Sequence, residues 1–150
     1  MVSLELIWRQ LKLNVTHEKE SRMIVVYGIR DKLDPIKSKL SDVIHGCMQS
    51  VLGMPEDKRA QRFVPLERDD FYYPGGISDA YTVIEINMMA GRQPETQKDL
   101  IKTLFDKIES ELSISPIDIE ITIKEQQPYQ WGFRGITGDE ANDLNYKINV

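Results

Sequence analysis

Met23-Ile-Val-Val-Tyr-Gly28 is an apolar stretch that opens the first of two copies of one sequence pattern. Each copy predicts a strand, a helix started by a proline, a Pro-x-Asp turn and a second strand. The first copy runs from Met23 to about Leu66 and the second from about Tyr81 to Lys124, and their helix-starting prolines, Pro35 and Pro94, stand 59 positions apart. The repeat predicts an α/β fold in which tandem β-α-β units form one four-stranded sheet with both helices on one face.

Apolar residues at helical spacing predict the two helices. Asp34 is the expected cap of the first helix and Pro35 its first residue, and Gly53 ends it. The predicted core stripes are Ile36, Leu40, Val43, Ile44, Cys47 and Val51 in the first helix, and Ile101, Leu104, Phe105, Ile108 and Leu112 in the second. Because Cys47 and His45 lie on or beside the buried stripe, a packed thiol and a flanking imidazole are favoured over a catalytic pair.

Period-two alternation predicts the strands that follow the first one. The second strand is expected from Arg59 to Leu66 and the third from Tyr81 to Met89. In the fourth, Ile119, Ile121 and Ile123 alternate with Glu120, Thr122 and Lys124. The sheet face away from the helices then carries Glu85, Asn87, Glu120 and Thr122 among apolar residues. Such a mixed face is either solvated or packed against other subunits.

The two ends of the chain are predicted to differ from this repeat. Residues 1–22 form an N-terminal extension, read either as a short amphipathic helix with Leu4, Ile7, Trp8, Leu11 and Val15 on one stripe or as a loosely ordered segment. Residues 23–150 form the main domain. It closes with a loop that carries Trp131 and Arg134, and with a short terminal strand in which Leu144, Tyr146, Ile148 and Val150 alternate with polar residues.

Composition excludes several classes of function. The net charge of -5 disfavours binding to nucleic acids or to anionic membranes. A single cysteine and two histidines disfavour a disulfide framework and a cysteine- or histidine-rich metal site, and no cofactor motif is present. Charged residues interrupt the start of the chain where a signal peptide needs an apolar region, so a cytoplasmic protein is expected.

An ordered set of short motifs carries a family resemblance. The set is Met23 to Gly28, Leu33 to His45, Pro55 to Arg59 with Gln61-Arg-Phe63, Gly91-Arg92 with Glu95, Ser115 to Ile121, and Trp131-Gly132 with Leu144 to Lys147. Together they resemble the tautomerase superfamily, in its malonate semialdehyde decarboxylase-like branch, over about Met23 to Val150. The resemblance implies the strand order of that family, which the pattern alone does not separate from a ferredoxin-like order.

The resemblance also implies a homotrimer that acts on a small keto or enol carboxylate at the mouth of the first strand. Family enzymes use an amino-terminal proline there, whose secondary amine acts as a base or nucleophile. Arginines hold the substrate carboxylate. By the resemblance, Arg59 and Arg92 are the expected carboxylate binders in this chain. For Arg59 the alternative is a surface ion pair with Glu56 or Asp57.

Further candidates follow from the same resemblance. Asp57 or Lys58, one position apart, stands near the place of a water-activating aspartate, and either is a candidate substitute base. Gln61 is expected to put a polar side chain into the pocket. Trp131 and Arg134 are expected in a loop that covers the pocket, with packing as the alternative role for Trp131.

One departure from the family decides the expected mechanism. Arg22, or Met23 with one residue of slip, stands where the family has its proline. Its nitrogen is a peptide amide, whose delocalised lone pair neither accepts a proton nor attacks a carbonyl. A proline-dependent mechanism is therefore disfavoured. Two hypotheses remain, an enzyme with a substitute base and a non-catalytic trimer that binds small acids or serves as an assembly module, while acidic charge disfavours a ferredoxin-like RNA-binding domain.

Overall fold

The computed structural model describes residues 3–7 and 22–140 of the chain. Its main elements are β1 (Arg22–Ile29), α1 (Lys37–Leu52), β2 (Gln61–Leu66), β3 (Thr82–Met89), α2 (Pro94–Leu112) and β4 (Ile119–Gln126), followed by the short strands β5 (Gly132–Phe133) and β6 (Ile136–Thr137). Residues 4–7 are helical. The rest of the predicted extension helix and the predicted terminal strand at residues 144–150 lie outside the described residues.

The four long strands form one sheet in the order β2-β1-β3-β4. β1 runs parallel to β2, with Ile24 opposite Gln61, and β3 runs parallel to β4, with Thr82 opposite Ile119. β1 and β3 are antiparallel neighbours, with Arg22 opposite Met88. Each long helix therefore connects two adjacent parallel strands, as a β-α-β unit requires. The predicted α/β fold is confirmed.

Both helices pack on one face of the sheet and bury a single core. Its fully buried side chains come from both units and include Leu40, Ile44, Met48, Ile84, Ile86, Met88, Leu100, Leu104 and Ile108. Burial of an aliphatic side chain of this size stabilises the fold by roughly 1.5–3 kcal/mol. Cys47 and His45 are also buried, each 2% exposed, in the places the helical stripe predicts. The core thus holds the strand ends at which the candidate site lies.

The two long helices begin differently, which corrects one prediction. α2 begins at Pro94, as expected. α1 begins at Lys37 rather than Pro35, and its cap, Ile36, offers no side-chain hydrogen bond. A short helical turn, Arg30–Leu33, ends at Asp34, whose carboxylate pairs with Lys37 Nζ at 3.1 Å. Because this turn already occupies the residues before Pro35, the proline lies between two helical segments instead of opening one.

The sheet face away from the helices is mixed in character, as the alternation predicts. Glu85 and Asn87 are half-buried there, and Glu120 and Thr122 are exposed. Lys124 Nζ pairs with Glu85 Oε2 at 2.7 Å, and this carboxylate raises the pKa of Lys124. Asn87 Nδ2 donates to the Met23 carbonyl at 3.2 Å. The polar groups on this face are therefore satisfied in part by one another.

The outer strands of the sheet, in the part of the chain that the structure describes, are β2 and β4. β2 contains Pro65, which has no N–H to donate, and proline within a sheet is confined to such outer positions. No helix among the described residues is long and apolar enough to cross a membrane.

Candidate functional site

A cleft of about 510 Å³ lies where β1 and β2 begin. Three parts of the chain form its walls: the start of β1, the turn before β2 with the first residues of that strand, and the loop after β4. The lining residues are Arg22, Met23, Asp57, Lys58, Arg59, Ala60, Arg62, Gln130, Trp131 and Gly132. The cleft is therefore at the mouth of the first strand, where the sequence analysis expected a site.

The turn before β2 is held by hydrogen bonds, one of which comes from a buried residue of the core. Buried His45 on α1 places its Nε2 2.9 Å from the Glu56 carbonyl, so that the ring nitrogen donates to it. Within the turn, Lys58 N–H donates to the Pro55 carbonyl at 3.1 Å. Ile24 N–H on β1 donates to the Ala60 carbonyl at 3.0 Å. These bonds hold Asp57, Lys58 and Arg59 at the start of β1.

Arg59 is held by an ion pair with a residue of α1. Its Nη1 donates to Asp42 Oδ1 at 2.6 Å and to Ser41 Oγ at 3.2 Å. The predicted alternative partners, Glu56 and Asp57, are not the ones the structure shows. A single guanidinium nitrogen makes both bonds, which leaves other N–H groups of the fork for a ligand.

Gln61 supports this arrangement from behind the cleft. It accepts a hydrogen bond from Ser41 Oγ at 2.5 Å, and its Nε2 donates to the Ser41 carbonyl at 3.2 Å. Gln61 is absent from the described residues that line the cleft. Its side chain is thus bonded to Ser41, whose Oγ also accepts a hydrogen bond from Arg59.

The loop after β4 is a folded hairpin and brings Trp131 to the cleft. β5 and β6 are joined by Arg134 and Gly135, which have φ of 51° and 80°, as a two-residue type I′ turn requires. Gly138 N–H donates to the Trp131 carbonyl at 2.8 Å. A Cβ at Gly138 would lie 2.5 Å from the Pro128 carbonyl oxygen, so only glycine fits there.

Two predicted residues lie outside the cleft. Arg134 is exposed at the tip of the hairpin and is not among the described lining residues. Arg92 follows β3 and is half-buried, and Gln97 Nε2 donates to its carbonyl at 3.1 Å. Since the end of β3 pairs with the start of β1, Arg92 belongs to the same end of the sheet without lining this cleft in the single chain.

Arg62 lines the cleft but was not predicted from the sequence, although the alternation of side chains along a strand could have indicated its position. Neighbouring residues of a strand point to opposite faces. Gln61 points toward α1, so Arg62 belongs to the opposite face. Arg22 was recognised only as the position of the missing proline. The structure places it first in β1, with 3% of its surface exposed.

The side chains that line the cleft give it a positive charge in a chain whose net charge is negative. Four of them are cationic, Arg22, Lys58, Arg59 and Arg62, and one is a carboxylate, Asp57. The indole of Trp131 adds a flat apolar surface. A group of this kind is suited to bind an anion with a short carbon skeleton.

The corresponding mouth of the second unit, at the start of β3, is largely occupied by its own side chains, and a smaller cavity of about 110 Å³ lies beside Ala80, Tyr81 and Thr82. Asp118 accepts hydrogen bonds from Ser78 N–H at 2.8 Å and Ser78 Oγ at 2.7 Å. The Tyr81 hydroxyl donates to Glu120, and its ring stacks on Phe71 with centroids 5.3 Å apart. Burial and the Glu120 carboxylate raise the pKa of Tyr81 to about 12.

A second groove, of about 450 Å³, lies along α1 and α2 beside Cys47. Burial raises the pKa of the Cys47 thiol to about 11, and the thiol lies 3.9 Å from the Thr103 carbonyl. A thiol in this state is protonated at neutral pH and is a poor nucleophile. The Cys47 thiol is therefore not suited to act as a nucleophile in this groove.

Comparison with known proteins agrees with the fold. A family model described as "Tautomerase enzyme" matches residues 58–134, from the turn before β2 to the hairpin. A probable tautomerase, YusQ of Bacillus subtilis (strain 168), is 28% identical over 100 residues, which cover 63% of this chain and 79% of YusQ.

Solved structures share the fold at lower sequence identity. A malonate semialdehyde decarboxylase superposes with a TM-score of 0.70 at 22% identity, over 83% of this chain and 98% of that one. A native fused 4-OT superposes with a TM-score of 0.71 at 21% identity, over 79% and 97%. A wild-type fused 4-OT that forms an asymmetric trimer has a TM-score of 0.71 at 22% identity, over 80% and 98%.

Proposed function

The chain belongs to the tautomerase family, and we propose that its cleft at the start of β1 binds a small keto or enol carboxylate. The single observation that carries this proposal is the convergence of Lys58, Arg59 and Arg62 on one cleft beside the Trp131 indole. Charge-assisted hydrogen bonds from a guanidinium fork to a carboxylate are among the stronger polar contacts in proteins. The resemblance expected Arg59 in this role, and we retain it as the first carboxylate binder.

We propose that the cleft also moves a proton, with side chains in place of an amino-terminal amine. The nitrogen of Arg22 is part of a peptide bond to Ser21 and has no basic lone pair. The Asp57 carboxylate is the acceptor that the cleft offers for a proton next to a carbonyl. The Lys58 ammonium and the Arg59 guanidinium are placed to stabilise the enolate that results.

We further propose that the functional unit is a cytoplasmic homotrimer. The trimeric fused 4-OT structure supports this assembly, and so does the mixed sheet face, which suits contact with other subunits. Arg92 lies at the same end of the sheet as the cleft but does not line it in one chain. In the proposed trimer its guanidinium is available to the cleft of a neighbouring copy, which keeps its expected role as a carboxylate binder.

The test measures both binding and turnover of phenylenolpyruvate. Arg59→Met should weaken binding by about tenfold to a hundredfold, because a hydrogen bond to a charged group contributes about 1.5–3 kcal/mol. Arg68→Met is the matched control, since Arg68 pairs with Asp31 and Asp79 away from the cleft. Binding that survives in Arg59→Met as well as in Arg68→Met would contradict the proposal.

The same experiment separates a second candidate, a non-catalytic trimer that binds small acids or serves in assembly. The observation that favours it is the exposure of apolar side chains in the N-terminal extension, where Leu4 is 74% and Leu6 59% exposed. Such side chains suit contact with another protein surface. Saturable binding of the acid without turnover would support this candidate over the enzyme.

A further inference from the structure

We propose that Arg62, together with Lys58, forms a second anion-binding position in the cleft, so that the preferred ligand is a dicarboxylate. This inference rests on the proposed function, because it names the class of acid that the same cleft takes. Neither the family resemblance nor the comparisons assign a role to Arg62. Its position in β2, and the absence of an ion pair or hydrogen bond from its side chain among the described residues, point to that role.

The direction of Arg62 follows from its neighbours in β2. Gln61 and Phe63 face the helices: Gln61 is bonded to Ser41 of α1, and Phe63 packs against the core. Arg62 therefore projects from the opposite side of the strand, where it is exposed and lines the cleft. Arg62 is paired with Val25 of β1, which places Arg62 close to the start of β1, where the cleft lies.

Arg59 and Arg62 differ in whether a carboxylate of the protein already pairs with their guanidinium. Arg59 is paired with Asp42 at 2.6 Å. Across residues 3–7 and 22–140, the side chains of Arg62 and Lys58 make no ion pair or hydrogen bond. Within a single chain, the cleft therefore presents Arg59, which is already paired with Asp42, and Lys58 and Arg62, whose side chains have no ion pair among the described residues.

These two positions decide the preferred charge of the ligand. A monocarboxylate held by Arg59 leaves Lys58 and Arg62 with only Asp57 as a lining counter-charge. A second carboxylate neutralises this surplus and gains further charge-assisted hydrogen bonds. The cleft volume of about 510 Å³ accommodates a short dicarboxylic acid. Complementary charge of this kind sets specificity between similar ligands.

The experiment compares two acids of equal carbon number, succinate and butyrate, by titration calorimetry on the full chain at neutral pH. The intact protein should bind succinate at least about tenfold more tightly, as expected for added hydrogen bonds between charged groups. Arg62→Met should remove most of that preference, because it should weaken succinate binding more than butyrate binding. Arg62→Lys should retain part of it, and Arg68→Met all of it.

Each result has a defined meaning. A preference for succinate that survives in Arg62→Met overturns the role of Arg62. Equal binding of both acids by the intact protein overturns the dicarboxylate inference and leaves the proposed function standing. Binding of neither acid overturns the dicarboxylate inference, whereas the proposed function is decided separately by the phenylenolpyruvate measurement. Circular dichroism of every variant identifies loss of fold, and Arg62→Lys then supplies the comparison if Arg62→Met is unfolded.

Discussion

The starts of β1 and β3 are surrounded by corresponding elements of the two units. One of them borders an open cleft, whereas the other is occupied by side chains. Their strands have the same burial pattern, and each is followed by a helix and by a turn with the sequence Pro-x-Asp. In the first unit, Asp57 lines a cleft with cationic neighbours. In the second, Asp118 is bonded twice to Ser78, and Tyr81 and Phe71 stack beside it.

The difference shows that the connection between the units decides where a ligand can enter. The chain between β2 and β3 brings Ser78 and Tyr81 to the start of β3 and thereby occupies the second mouth. At the first mouth the corresponding space is bordered by the hairpin after β4, which lines the cleft without filling it. The two repeated units thus form one candidate binding site and one position at which side chains only bond to each other.

The largest effect on this comparison is expected from Gly138→Ala, because the open mouth depends on the hairpin. The added Cβ would lie 2.5 Å from the Pro128 carbonyl and 2.8 Å from Met89 Cε, so the loop must shift. Overpacking of this kind lowers the free energy of unfolding by about 1–3 kcal/mol, and ligand affinity should fall with it. Urea denaturation and phenylenolpyruvate binding measure the two effects.

Gly46→Ala is the matched control for this variant. Gly46 lies within α1, and a Cβ there meets nothing within 4 Å. Alanine in an exposed helix interior should stabilise the protein by roughly 0.5–1 kcal/mol and leave binding unchanged. Equal stability changes in the two variants would show that the hairpin is not constrained at Gly138.

A smaller effect should separate the two aspartates of the repeat. Asp118→Ala removes the acceptor of both Ser78 bonds and should lower the free energy of unfolding by about 0.5–1.5 kcal/mol, with ligand binding unchanged. Asp57→Ala should change stability by less than about 0.5 kcal/mol and abolish turnover. Chemical denaturation and the phenylenolpyruvate assay test the pair. The distinction between the two mouths fails if Asp57→Ala destabilises the fold and spares turnover.

The smallest effect, and one confined to alkaline pH, is expected from Tyr81→Phe at the filled mouth. The pKa of Tyr81 is raised to about 12, whereas a tyrosine in an unfolded chain titrates near about 10. The folded state therefore keeps this proton to higher pH, and the associated stability is full below about pH 10 and lost as pH rises toward about 12. Tyr81→Phe should lack this part of the pH dependence. Identical stability profiles for both proteins would contradict it.

Periodicity predicted the core of the fold because burial follows directly from it. Leu104 and Ile108 were expected on the core stripe of the second helix and are both fully buried. The helical stripe likewise placed Cys47 in the core. Such positions are determined by local spacing alone, since strands and helices have fixed periods. The two β-α-β units were therefore readable from the sequence.

The candidate site was harder to predict from the sequence, because it depends on where each strand begins and on which face of the sheet each side chain lies. β2 was predicted to begin at Arg59 and begins at Gln61, and adjacent strand residues point to opposite faces. Gln61 was expected in the pocket from the family resemblance alone, and Arg62, on the opposite face of the strand, was overlooked. The hairpin was expected as a loop, since Arg134-Gly135 lacks the Asn-Gly or Asp-Gly sequence typical of its turn. Contacts such as Arg59 with Asp42 join residues that no sequence spacing relates.

Pro65 also bears on the tendency of the protein to aggregate at high concentration. The margins of an open sheet are templates for strand addition, which leads to aggregation and fibril growth. On β2 the proline withdraws a donor from that template, while on β4 the protection comes from charged side chains such as Lys124 and Glu125. Among the described residues the two margins are thus protected by different means, and neutral substitutions of Lys124 or Glu125 are expected to lower solubility.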